Sequence, residues 1–202
     1  MRNSLYNHYT KKVAFSYYEK IGDAVTCIDE ELPFDIPDNW EICRFSSIYT
    51  LISGKDLKPS EYNNQQDGVP YITGASNFFD GNVAIIRWTS VPQVITDSGD
   101  LLITCKGTIG EIAINTFGKA HIARQIMAIR SIIPLNTNYF LICMKYYVEE
   151  LKNSAKGLIP GISRDNILTL LLPVPPLDEQ KRIAEQYASI ENLFQSIEKS
   201  LS

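Results

Sequence analysis

The sequence predicts an α/β fold of the α+β kind, a twisted mixed sheet with packed helices followed by a C-terminal coiled-coil helix. Three observations carry that prediction. From Val69 to Ile133 short β-rich runs alternate with turn residues. Over residues 138–153 large apolar side chains recur at helical spacing. From Ile183 onward they fall four and three residues apart, which keeps one narrow seam on one helix face.

Residues 1–37 read as a lead-in arm, with an amphipathic stretch around Val13 to Lys20. Pro33 and Pro37 block a helix there and suggest an extended, packed-down segment. The main domain opens at Asp38-Asn39-Trp40 and runs to residue 176. Strands are expected at Val69–Thr73, Val83–Trp88, Gln93–Thr96, Leu101–Cys105, Glu111–Asn115 and Gln125–Ile132, punctuated by glycines that supply short turns. Phe140, Leu141, Met144, Tyr147, Val148 and Leu151 then define an amphipathic helix over Asn138–Asn153. Asn136 or Asn138 starts it, and it should lie on the sheet. Pro176 precedes a second helix over 177–202, with Asp178 and Glu179 beside its first-turn N–H groups. Its seam is Ile183, Tyr187, Ile190, Phe194, Ile197 and Leu201, and a seam that narrow calls for a partner helix.

With 202 residues, 45% of them hydrophobic and 21% charged, the chain can form one well-buried domain with an appendage. No run of eighteen apolar residues exists, and the N-terminal stretch lacks the apolar core of a signal peptide, so a cytoplasmic protein without a membrane partner is expected. Cys27, Cys43, Cys105 and Cys143 are irregularly spaced, with only His8 and His121 to complete a metal set, and they read as buried free thiols. No metal site is expected. The net charge of −4 argues against a surface that grips nucleic acid all round, while leaving room for one basic face.

No His-Glu-x-x-His, Walker loop, Gly-x-Ser-x-Gly or dinucleotide fingerprint occurs, so no catalytic residue is expected. Gly107-Thr108-Ile109-Gly110 sits between two β-rich runs and reads as a tight turn rather than a phosphate clamp. What remains is a set of polar residues at strand ends: Lys55, Ser76, Asn77, Lys106, Thr108, His121, Arg124, Gln125 and Lys156. Loops at strand ends can converge on one rim. Arg and Lys pair with guanine edges or phosphates, and Asn and Gln with adenine, so this mixture suits the reading of a duplex. The plain alternative is a set of solvated loops. Arg124-Gln125 is the strongest pair, because two long polar side chains ahead of an apolar strand need a reason; the competing reason is a buried hydrogen-bonded pair that fixes the loop.

Trp40-Glu41-Ile42-Cys43-Arg44, Gly68-Val69-Pro70-Tyr71-Ile72-Thr73-Gly74, the run Asp100 to Gly110, and the stretch from Ile162-Ser163 to Ile183 with its Pro-Pro-Leu-x-Glu-Gln-x-x-Ile junction resemble the specificity subunit of type I restriction-modification enzymes. The resemblance covers about residues 30–202. It implies an α/β target-recognition domain that performs no chemistry and selects a DNA sequence for methyltransferase (modification) subunits and a restriction/translocase subunit. S-adenosylmethionine, ATP and Mg would then belong to those partners, with no cofactor in this chain. Family members usually carry two such domains, each followed by a long helix, whereas this sequence holds one domain and about 25 residues of helix, roughly 37 Å long. It resembles half a subunit, either a natural one that pairs with itself or with another specificity chain, or a shortened or remnant chain. Two competing classes remain: an interaction protein or recombination cassette acting through the helix without binding DNA, and an RNA-binding or nuclease domain resting on the Gly-x-x-Gly turn and weak charge patterns.

Overall fold

The computed structural model describes residues 8–13, 15–79, 81–154 and 161–201. They fall into two compact units, Met1–Ile48 with Thr169–Ser202, and Tyr49–Leu168.

In the first unit, β1 (His8–Val13), β2 (Ser16–Ile21) and β3 (Ala24–Cys27) form an antiparallel meander where an extended arm was expected. The amphipathic stretch is thus a hairpin: Tyr17 and Glu19 alternate inward and their neighbours outward. β4 (Glu41–Arg44) leads into the single turn α1 (Phe45–Ile48) and pairs antiparallel with the strand Leu171–Val174. Tyr17, Ile28, Ile36, Ile42 and Leu171 make the core, so the Pro-bounded segment does pack down through Ile36. Arg44 organises this unit. Its guanidinium donates to both Glu19 oxygens at 2.8 and 2.9 Å, meets Glu31 at 2.8 Å, and donates to the Thr169 carbonyl at 2.6 Å. This fork of donors is a pattern that Arg alone offers, and it accounts for Arg44 at the end of the Trp40-to-Arg44 motif.

The second unit holds β5 (Tyr49–Ser53), β6 (Val69–Ile72), β7 (Phe78–Phe79), β8 (Asn82–Val83), β9 (Trp88–Thr89), β10 (Ile95–Thr96), β11 (Leu101–Thr104), β12 (Ile112–Ile114), β13 (Ala120–Ile122) and β14 (Ile126–Ser131). The expected single mixed sheet is two four-stranded sheets. One runs β12-β11-β14-β5 and is antiparallel throughout; the other runs β10-β13-β6-β9 and is mixed, with β13 and β6 parallel. Ile72, Leu102, Ala120, Ile122, Ile126 and Ala128 form their shared core. α2 (Thr137–Ser154) begins as expected, with Asn136 Oδ1 accepting the Tyr139 N–H at 3.0 Å. It buries Phe140, Met144 and Val148, and the Phe140 ring stacks on Tyr49 at 4.0 Å between centroids. α3 (Arg164–Leu168) is capped reciprocally by Ser163 and Asn166, which explains the Ile162-Ser163 motif.

After β15 (Leu171–Val174), α4 (Leu177–Leu201) starts one residue before Asp178. The Pro175 carbonyl accepts the buried Gln180 amide at 2.8 Å, so the Pro-Pro-Leu-x-Glu-Gln junction is a sealed helix start in the first unit. No helix among the described residues is long and apolar enough to cross a membrane. Of the cysteines, Cys105 is buried and Cys43 and Cys143 half-buried, whereas Cys27 is exposed on β3, contrary to the expectation for all four. Burial pushes the Cys43 thiol up to about 12 and that of Cys143 to about 11.

Asp100, which the sequence leaves without a role, is buried beside Arg130, whose Nε and Nη2 donate to it at 2.8 and 2.7 Å; the Thr96 hydroxyl and Asp97 N–H complete its shell. It closes the turn between β10 and β11. Asp100→Ala is expected to lower the unfolding free energy by about 2–4 kcal/mol in urea titrations, because it strands the Arg130 guanidinium and two further donors.

Candidate nucleic-acid interface

Strand register brings five segments to one end of the second unit. β14 begins at Ile126, opposite Thr104 at the end of β11 and one residue from the Met127↔Ser53 pair at the end of β5. The Cys105 N–H donates to the Gln125 carbonyl at 2.7 Å and the Gly54 N–H to Ile126 at 3.0 Å. In the mixed sheet, parallel β13 and β6 end together: Ile122 pairs with Ile72, and the Ala123 N–H donates to the Ile72 carbonyl at 2.9 Å. The Ile162 N–H joins the same end through the Cys105 carbonyl at 2.9 Å. A rim results, made of residues 54–57, 73–77, 105–110, 123–125 and 161–163.

The candidate residues divide into two kinds on this rim. Lys55, Ser76, Lys106, Thr108, Arg124 and Gln125 are exposed on it. Arg124 is held by Asp56, with Nε to Oδ2 at 2.8 Å and the Arg124 N–H donating to Oδ1 at 3.1 Å. The two side chains keep 69% and 47% of their exposure. That is no buried pair, and an exposed ion pair holds by about 0.2–1 kcal/mol, so a phosphate or guanine edge can displace Asp56. Gln125 lies over Gly74, close enough that a Cβ there would sit 2.3 Å from its amide oxygen. The Gly107-to-Gly110 segment is not a tight turn but part of a wider loop between β11 and β12, closed by Gly110 N–H donating to the Thr104 carbonyl at 2.9 Å.

His121 and Asn77 are corrections to the expected set, because both are fully buried. His121 stands in β13, not in a loop: its Nε2 lies 2.8 Å from the Lys55 carbonyl oxygen, and its Nδ1 lies 2.9 Å from the Val94 carbonyl oxygen and 3.2 Å from the Val94 nitrogen. Asn77 Oδ1 accepts from the Thr73 N–H and hydroxyl, both at 2.9 Å, and its amide donates to the Ala84 carbonyl at 2.8 Å. Both groups position the rim and cannot touch a ligand on it. Lys156 lies outside the described residues. Sequence reasoning missed Asp56 and Arg164. The Arg164 guanidinium donates to the Leu51 carbonyl at 3.0 Å and the Ser53 hydroxyl at 2.9 Å, tying α3 to the end of β5; the carboxylate of Asp56 gave no signal, since its partner is 68 residues away in sequence. Among the described residues no three His, Cys, Asp or Glu side chains gather as a metal set.

A family model described as the type I restriction modification DNA specificity domain matches residues 37–202. The chain belongs to that family. It is 29% identical over 170 residues to a putative type I restriction enzyme MjaX specificity subunit of Methanocaldococcus jannaschii, an alignment that covers 80% of this chain and 39% of the relative. The crystal structure of the HsdS subunit from Thermoanaerobacter tengcongensis superposes with a TM-score of 0.73 at 25% identity, covering 84% of this chain and 42% of that one. A chain from a structural study of complex assembly and conformational transition in the type I R-M system gives a TM-score of 0.75 at 26% identity, over 83% and 42%. The chain spans about two fifths of the length of these relatives.

The rim makes two glycines separable. A Cβ on Gly54 would meet the Ala123 carbonyl oxygen at 2.1 Å, so Gly54→Ala should cost about 2–4 kcal/mol in thermal or urea unfolding, since rigid backbone must move. Gly74→Ala needs only the flexible end of Gln125 to swing away; its cost should stay below about 1 kcal/mol, with chemical-shift changes centred on Gln125.

Proposed function

We propose that this chain reads a double-stranded DNA sequence through the rim and serves as the target-choosing specificity subunit for separate methyltransferase and restriction/translocase subunits. The observation that carries this reading is the convergence, at one strand end of a specificity-family fold, of exposed Lys55, Ser76, Lys106, Thr108, Arg124 and Gln125. Arg124 and Gln125 have the chemistry for base edges, while Lys55 and Lys106 suit phosphates, where they fix register without reading sequence. The chain itself transfers no methyl group and cuts no DNA; S-adenosylmethionine, ATP and Mg act on the partner subunits.

Arg124→Ala or Gln125→Ala should weaken binding to the target duplex by about 1–3 kcal/mol, the worth of one bidentate pairing with a base edge, with little change on unrelated DNA. Lys55→Ala or Lys106→Ala should weaken binding to all sequences alike and flatten its salt dependence by about one unit of slope. Methylome sequencing of cells with and without the gene identifies the target. No difference between the two methylomes, with methyltransferase partners expressed, contradicts the proposal.

The C-terminal helix is proposed to pair with a second specificity helix. Ile183 and Tyr187 are half-buried, but from the next seam position the apolar residues stand in solvent, with Phe194 at 63% and Leu201 at 82% exposure. Leu193, at 61%, widens the stripe. Burying such side chains is worth about 1.5–3 kcal/mol each, enough to hold two helices together. Ile190→Asp combined with Ile197→Asp should abolish self-association in sedimentation equilibrium while the near-ultraviolet signal of the folded domain persists. A wild-type chain that stays monomeric at high concentration, and does not pair with another specificity chain, argues against this helix pairing.

A further inference from the structure

Phe79 is a large exposed apolar side chain two residues beyond the rim segment 73–77. It stands at the tip of the β7–β8 hairpin, paired with Asn82 across the turn, and keeps 72% of its exposure. Its neighbour Phe78 faces the other way and packs with Val83 against the core of the two sheets. The alternation along β7 therefore roots the hairpin with one ring and presents the other to solvent.

The base of this hairpin is fixed with unusual thoroughness for a segment of two-residue strands. Asn77, fully buried, holds Thr73 and Gly74 on one side and the Ala84 carbonyl on the other, and the Ala84 N–H donates back to the Asn77 carbonyl at 2.7 Å. Gly74 in turn lies against the Gln125 amide. At the turn, Gly81 has φ +73 and open space around its missing Cβ, so the glycine serves the backbone of the turn. A stem whose base is fixed in the rim segment and whose tip carries a largely exposed aromatic ring keeps apolar surface in water, at a free-energy cost.

We infer that Phe79 is a wedge that inserts its ring at a base step of the bound duplex, opening the stack beside the bases read by Arg124 and Gln125. A phenyl ring has no hydrogen-bonding group to offer a base edge, and its favourable contact with DNA is the face or edge of a base exposed by partial unstacking. Its contribution depends on how easily the step is deformed, so it adds sequence preference at a position no polar side chain contacts. The inference rests on the rim being a duplex-binding surface.

The test uses duplexes selected by the wild-type chain from a random-sequence pool, with 2-aminopurine placed at one position after another. Wild-type protein should raise fluorescence at one base step. Phe79→Ala, which removes almost no buried surface and so leaves the fold intact, should abolish that rise and weaken target binding about five- to a hundredfold, with the salt dependence unchanged. Phe79→Trp should restore both signals. Absence of a rise at every position with wild-type protein, or equal affinity and equal rise with Phe79→Ala, overturns the wedge while leaving the rim reading standing. Loss of self-association in Phe79→Ala with DNA binding unaltered overturns it also, and assigns the ring to a protein contact. Failure to select any duplex at all defeats the rim reading itself and the wedge with it.

Discussion

The rim depends on one buried imidazole. His121 lies between the Lys55 and Val94 backbones, and its two ring nitrogens tie the segment after β5 and the approach to β10 to the middle of β13. Lys55 also donates its N–H to Ile122 at 2.9 Å, so the strand and the loop are laced together on both sides of the ring. That lacing fixes Asp56, which fixes Arg124. An apolar residue at 121 would remove the side-chain partner of part-buried backbone groups of Lys55 and Val94, at a cost of up to about 1–3 kcal/mol each. The chemistry that resembles a contact residue in the sequence is therefore the scaffold on which the contact residues stand.

The same division runs through the whole unit. Asn77, Asp100 and His121 are polar, fully or nearly fully buried, and spend their hydrogen-bonding capacity inside the protein. Arg124, Gln125, Lys55 and Lys106 are exposed at the ends of the same strands. A surface that must discriminate among hydrogen-bonding patterns needs its donors and acceptors free but not floppy, because each ordered side chain costs rotamer entropy on binding. The exposed Arg124–Asp56 pair is compatible with both needs: it orients the guanidinium, and a pair worth about 0.2–1 kcal/mol leaves it open to a stronger acceptor.

Much of the architecture is legible in the sequence where periodicity is long. α2 and α4 follow from apolar spacing, and their starts from Asn136 and Pro176, because capping is local chemistry. β6, β11, β12 and β14 are legible from β-rich runs bounded by turns. β10 falls within the expected Gln93–Thr96 run, and the expected Val83–Trp88 run meets β8 and β9 only at its ends. Most of the misses are short: β7, β8 and β9 have two residues each and β13 three, too few for alternation to register, and β13 has a histidine at its centre. The meander β1–β3 reads as an arm because its strands bury little on one face. Burial itself is set by long-range packing, which is why His121 and Asn77 look like contacts in the sequence and Asp56 goes unnoticed, although the strand-end position of Arg124 and Gln125 is sound.

The central claim is that segments separated by as much as a hundred residues act as one DNA-facing rim. Hydrogen–deuterium exchange of the chain with and without its target duplex tests it most directly. A single rim predicts slowed exchange together in residues 54–57, 73–77, 105–110, 123–125 and 161–163, with the outer strands of the N-terminal meander unaffected. Protection confined to 177–201, or spread evenly over both units without the rim segments, would contradict it.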